Sequence, residues 1–231
     1  MEVYPATGTV MRTPTTRAPG GKSLAYACEG RQHWSMQPAR ESLDHNGVAL
    51  RRWRAGDAGT AHRLVSESMD HLAPWMAWAA NGYTLADAEA FLAQAESDWR
   101  SGTAYNYAIL AADGAIIGSI SLMARIGPGG LEIGYWLHPA HVGHGIVTRA
   151  ATALIEEAFR IGADHVEIRH DVANQRSGAV PRRLGFVEVE RQPAQEPLTV
   201  GEQGIDLVWR RTNTTAGSVN SLDREDTDPI N

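Results

Sequence analysis

The stretch LEIGYWLHPAHVGHGIVTRAATALIEEAF, residues 131–159, holds the residues whose types and spacing point most directly to chemistry. An apolar strand pattern ends at Leu137. A short loop then carries Pro139, Gly143 and Gly145, and a helical pattern begins at once with Ala150, Leu154, Ile155, Ala158 and Phe159 on one side. The first N–H groups of a helix have no partner within it. Together with the helix dipole they form an anion site, and glycines let phosphate oxygens approach the main chain. The unit suggests a phosphate-bearing ligand, with an ordinary turn as an equal alternative. The pattern GxxxxGK followed by Ser or Thr is absent, which argues against a nucleotide-hydrolysing loop, and no GxGxxG follows the strand. His138, His141 and His144 recur at a spacing of three on a loop running into a helix, which does not bring all three to one helix face. No HExxH pattern or cysteine pair accompanies them, so no metal is expected.

The elements that must position this loop follow from the changing hydrophobic period. Strands are expected at 47–53, 105–112, 115–123, 131–137, 164–170, 186–191 and 205–211. Helices are expected at 57–70 with Asp57 as cap, 84–99 with Thr84 as cap, about 145–160, and 174–184, where Asn174 is a natural cap and Pro181 an interior oddity. Asp113-Gly114 is a hairpin signal between the second and third strands. The order predicts an α/β fold with a mixed sheet, largely antiparallel at first and with parallel crossovers later.

Residues 1–45, rich in Thr, Pro, Gly and Arg, read as an N-terminal extension, residues 46–211 as one domain, and residues 212–231 as an acidic tail. Hydrophobic residues make up 43% of the 231, enough for a sizeable core, while a net charge of −6 argues against a nucleic-acid partner. Cys28 is the single cysteine, which fits a reducing compartment. No signal-peptide pattern and no apolar run of membrane-spanning length is present, so a cytoplasmic protein is expected, as monomer or homodimer.

EIGYWLHPAHVGHG followed by VEIRHDVANQRSGAVPRRLGF, with HLAPWMAW at 71–78 and GIDLVWRR at 204–211, resembles the GNAT superfamily of N-acetyltransferases, and within it the branch that acetylates the N-termini of ribosomal proteins. The resemblance spans about residues 46–211. It implies a mostly antiparallel sheet splayed at the cofactor site, helices on both faces, and acetyl-CoA as acetyl donor. It also implies that the diphosphate lies on the amides of Gly143, His144, Gly145, Ile146, Val147 and Thr148, that the pantetheine arm pairs with the strand near Leu137, and that Asn174 and Ser177 match an Asn-x-x-Ser near the thioester. Two residues depart from the family's loop: Val142 replaces a polar side chain, and Val147 puts a branched one where it can crowd a phosphate.

Direct transfer to an amine requires a base for the ammonium, donors for the oxyanion and an acid for the sulfur. On the resemblance, Glu132 is the first candidate base and Glu196 the second, Ser177 the acid, and a backbone N–H near Leu137 the oxyanion donor. Trp75, Trp78 and Tyr135 are candidates for the acceptor pocket. Each has a plain alternative: an ion-paired strand residue for Glu132, a helix cap for Asn174, a first-turn residue for Ser177, core for the aromatics. An α-amine with pKa about 7.8 is roughly one-seventh neutral at pH 7, a lysine about 1 in 2,500. That favours a protein N-terminus as acceptor. A small-molecule amine is the alternative within the fold, and a binding module without activity the alternative outside enzymes.

Overall fold

The computed structural model describes residues 37–194 and 197–214. One eight-stranded sheet organises them, in the order β1-β2-β3-β4-β5-β6-β8-β7. Its strands are β1 (Ser42–His45), β2 (Val48–Arg52), β3 (Ala104–Leu110), β4 (Ile116–Met123), β5 (Gly130–Leu137), β6 (His165–Asp171), β7 (Val187–Pro193) and β8 (Ile205–Thr212). Every neighbouring pair is antiparallel except β5 with β6. Parallel pairing is thus confined to one crossover, less than the sequence pattern suggested.

Residues 37–45 belong to this fold, although their composition reads as an extension. Asn46 and Gly47 both take positive φ, 49° and 77°, which builds the tight turn Asn-Gly favours and pairs β1 with β2. Gln37 N–H donates to Ile161 C=O and Arg40 N–H to the buried Glu157 carboxylate. The remaining residues of the expected extension and most of the expected tail lie outside the described residues.

The helices are α1 (Ala58–Glu67), α2 (Met69–Leu72), α3 (Leu85–Ser101), α4 (Ile146–Arg160) and α5 (Gln175–Arg183). Strand alternation explains how both sheet faces are covered. Tyr107 and Ile109 of β3 join the core that α4 fills with Ala150, Ala151, Leu154 and Ile155. Ala108 between them faces the core made with Leu64 of α1 and Leu92 of α3. Each fully buried aliphatic side chain contributes about 1.5–3 kcal/mol.

Local signals were honoured unevenly. Thr84 caps α3 as expected, accepting from Asp87 N–H at 3.2 Å while Asp87 accepts Thr84 N–H at 2.8 Å. Asp57 does not cap α1. Its carboxylate accepts from Arg51 at 2.7 and 2.9 Å and from Arg54 N–H at 2.9 Å. The helix expected over 57–70 breaks at Ser68, whose hydroxyl donates back to Leu64 C=O at 2.7 Å and starts a separate short α2.

Asp171, at the end of β6, holds the sheet to two loops. Its carboxylate accepts N–H groups from Ala173, Gln203, Gly204 and Ile205 at 2.8–3.2 Å. Burial pushes its pKa up, but these donors together outweigh burial and hold it below its ordinary value of 3.8. The stabilisation is therefore complete above that value and disappears as pH falls through the lower folded one. Asp171→Asn is expected to cost about 3 kcal/mol and roughly 10 °C in Tm. Thermal unfolding at pH 7 checks this, and the gap to wild type should shrink below about pH 3.5.

Candidate active site

β5 and β6 pair over only three positions, the last Glu132↔Glu167, yet β5 runs on to Leu137 and β6 to Asp171. Past Glu132 the strands part, each held on its far side alone, β5 by β4 and β6 by β8. His138 N–H donates to Ile117 C=O on the β4 side. Because main-chain groups alternate sides along an antiparallel strand, the N–H and C=O of Tyr135 and Leu137 face the open edge.

A cavity of about 780 Å³ lies at this gap. It is lined by Tyr135, Trp136 and Leu137 of β5, by Val142 to Thr148 except His144, by Asn174 to Ser177, and by His71, Leu72, Trp75 and Met76. At its loop end, Gly143 and Gly145 take φ of 90° and 69°, where a side chain is strained. Gly145 is the N-cap of α4 and offers no side-chain cap, so the N–H groups of Ile146, Val147 and Thr148 stay available. Val142 and Val147 pack against the main core and also line the cavity.

The opposite end is built by α5. Asn174 caps it, its side chain accepting Ser177 N–H at 3.1 Å. Tyr135 crosses from β5, its hydroxyl 3.0 Å from Ser177 C=O, to which it donates, and 3.1 Å from Ser177 Oγ. Burial pushes the Tyr135 phenol up to about 12, against the opposing effect of Ser177, so it remains a neutral donor through physiological pH. His71 is held below the ordinary 6.5 by burial first and then by the charges of Arg176 and His138.

Two expected site residues, Glu132 and Trp78, are not brought here. Glu132 is 5% exposed, does not line the cavity, and is gripped by Arg125 Nε and Nη2 at 3.0 and 2.5 Å. It is an ion-paired strand residue away from the cavity lining, so the structure does not favour it as the base. Trp78 is 41% exposed and packs edge-on against Tyr83, outside the cavity, because the tight turn at Ala77–Ala79 buries Ala79 and turns Trp78 outward. The His144 side chain is exposed and its carbonyl accepts from Arg149, while its backbone lies between Gly143 and Gly145, which line the cavity. Glu196 lies outside the described residues. Trp75 and Tyr135 do line the cavity. Composition and motif drew no attention to His71, Arg176 or Arg183, though His71 opens the HLAPWMAW segment and the arginines sit in the segment that starts at Val166.

The acetyltransferase (GNAT) domain family matches residues 48–187. The chain belongs to the GNAT acetyltransferases. It is 32% identical over 168 residues to the "Putative ribosomal N-acetyltransferase YdaF" of Bacillus subtilis (strain 168), covering 70% of this chain and 88% of that protein. Its fold is that of RimL, a ribosomal L7/L12 α-N-protein acetyltransferase solved with coenzyme A (TM-score 0.68, 24% identity, 74% of this chain and 98% of that one). The same fold occurs in the microcin C7 self-immunity acetyltransferase MccE, solved with acetyl-CoA and AMP (TM-score 0.66, 23% identity, 78% and 99%).

As a GNAT acetyltransferase the chain uses an acetyl-CoA donor, and its residues fit one. The uncapped α4 N-terminus and left-handed glycines form an anion cradle, and Arg149 lies against it: a Cβ on Gly145 would sit 3.3 Å from its Nη1, and its Nε is buried without a partner. The free edge of β5 beyond Glu132 suits an amide-bearing arm. Gly143→Val places a branched side chain at φ 90° in the cradle. Acetyl-CoA affinity measured calorimetrically should fall at least about tenfold, with the fold retained by circular dichroism.

Proposed function

We propose that this enzyme acetylates the α-amine of a protein N-terminus by direct transfer. The observation that carries the reading is the charge of the cavity: Arg176 and Arg183 line it and, among the described residues, no carboxylate does. Such a site disfavours a bound ammonium and admits an uncharged amine. At pH 7 the neutral fraction of an α-amine exceeds that of a lysine by roughly 350-fold. The names of YdaF and RimL as ribosomal N-acetyltransferase and α-N-protein acetyltransferase support the same acceptor class.

When bound, acetyl-CoA supplies a thioester whose carbonyl carbon a neutral amine attacks, negative charge passing from its oxygen to the departing sulfur. The residues here are suited to both charges. The outward N–H groups of Tyr135 and Leu137 are oxyanion donors, fixed in place because the strand is held from the other side by β4. The Ser177 hydroxyl, its main chain held by the Tyr135 hydroxyl donating to its C=O, is the proposed donor toward sulfur. The amides of Ile146, Val147 and Thr148 hold the diphosphate, and Trp75 borders the acceptor end.

A small amine is the second reading, and one observation favours it. Thr199 Oγ1 and Gly201 N–H both donate to Pro74 C=O, tying the β7–β8 loop to the turn beside Trp75 and narrowing access from that side. The binding-module reading is set aside because the chain belongs to the GNAT acetyltransferases.

Thiol release from acetyl-CoA distinguishes the acceptors. Peptides with a free α-amine should react, at a rate rising from pH 6 to about 8, while N-blocked peptides bearing lysine should be at least about 100-fold slower at pH 7. Preference for aminoglycoside-type amines or for lysine contradicts the proposal. Ser177→Ala and Tyr135→Phe should each lower kcat by about 10- to 100-fold and leave the acetyl-CoA KM within about threefold.

A further inference from the structure

With Glu132 bound to Arg125, the cavity lacks the base expected of it, and its lining contains few replacements. Among the described residues no carboxylate reaches it, Tyr135 holds its proton to about 12, and Arg176 and Arg183 stay charged. Among the described lining residues, His71 and His141 remain as side chains able to take a proton near pH 7. His141 closes the tight turn Pro139–His141, two residues before Gly143, and so belongs to the phosphate end. His71 lies in the short α2, on the wall that also carries Leu72, Trp75 and Met76.

From this placement we propose that His71 is the proton acceptor for the attacking amine, directly or through one water. The inference rests on the acetyl-transfer reading above and names the group that reading requires. The charged and titratable groups around the imidazole support it. Arg176 faces it from α5, and His138 faces it from the end of β5, itself 3.4 Å from Glu67 of α1. Half-buried between these, His71 stays neutral at pH 7 and is free to accept. The proton leaves the amine nitrogen as that nitrogen bonds to carbon, rests on the imidazole, and returns to solvent at the cavity mouth. Burial is the main cause that keeps His71 neutral, and the Arg176 charge adds to it while also repelling an ammonium, so both partners are biased toward the reactive protonation state.

Steady-state kinetics with a short peptide bearing a free α-amine test the assignment. Wild-type kcat should show an acid limb with its inflection below pH 6.5, the imidazole's ordinary value. His71→Gln should lose that inflection and about 100-fold in kcat, with acetyl-CoA affinity within about twofold, and added imidazole should restore part of the rate to His71→Ala. Arg176→Gln should move the limb to higher pH, because removing the cation lets the imidazole keep its proton longer. A purely structural histidine would produce neither the rescue nor the shift. A His71→Gln enzyme that keeps the limb and a rate within about threefold of wild type overturns His71 alone. A wild type that binds acetyl-CoA and acetylates no amine overturns the acetyl-transfer reading and the base together.

Discussion

The parting of β5 from β6 is the constraint on which the rest of the structure depends. Three paired positions end at Glu132↔Glu167, and beyond them each strand is anchored only on its outer side. β4 holds one strand straight to Leu137, and β8 holds the other to Asp171. Asp171 then binds the 203–205 backbone and fixes the outer wall. Closing the gap would break one of these ladders, so the open β5 edge is maintained by the sheet itself. Strand edges readily accept an added strand-like chain. In this fold that edge leads directly from the α4 anion cradle to Ser177.

Charge is distributed so that the cavity and the sheet have different tasks. Glu132 and Glu167 are almost wholly buried, yet each is engaged by an arginine, Arg125 from the β4–β5 loop or Arg210 from β8. Removing one partner of such a pair leaves an uncompensated buried charge, so these carboxylates are committed to the fold. The cavity keeps the reverse pattern, with guanidinium groups and hydroxyls and no acid among the described residues. A site of that sign selects for the neutral form of its acceptor, and the acceptor's own pKa becomes part of the specificity.

Much of this was legible in the sequence because the signals were local. The glycine loop, the strand ending at Leu137, the Thr84–Asp87 capping box and the Asn174 cap each depend on residues within a few positions of one another. What was misread depends on a partner reached by folding. Glu132 alternates with Leu131 and Ile133 as a strand acid should, but nothing in that period shows Arg125 folding back across β4's end to claim it. Asp57 stands where a cap belongs and is taken by Arg51 from the neighbouring strand. Trp78 has the composition of a pocket residue, yet the tight turn at Ala77–Ala79 leaves it exposed while Trp75 lines the cavity. Asn46-Gly47 was a local signal passed over, because the polar residues before it resemble a tail.

Amide hydrogen exchange with and without acetyl-CoA tests the central claim most directly, since it reads the very N–H groups assigned to the donor. The account predicts that added acetyl-CoA slows exchange at Tyr135 and Leu137 on the open β5 edge and at Ile146, Val147 and Thr148 at the start of α4, with little change at Gly134 and Trp136, already paired to β4. Saturating acetyl-CoA that leaves those five amides unprotected, or that protects a surface away from the parted strands, would contradict it.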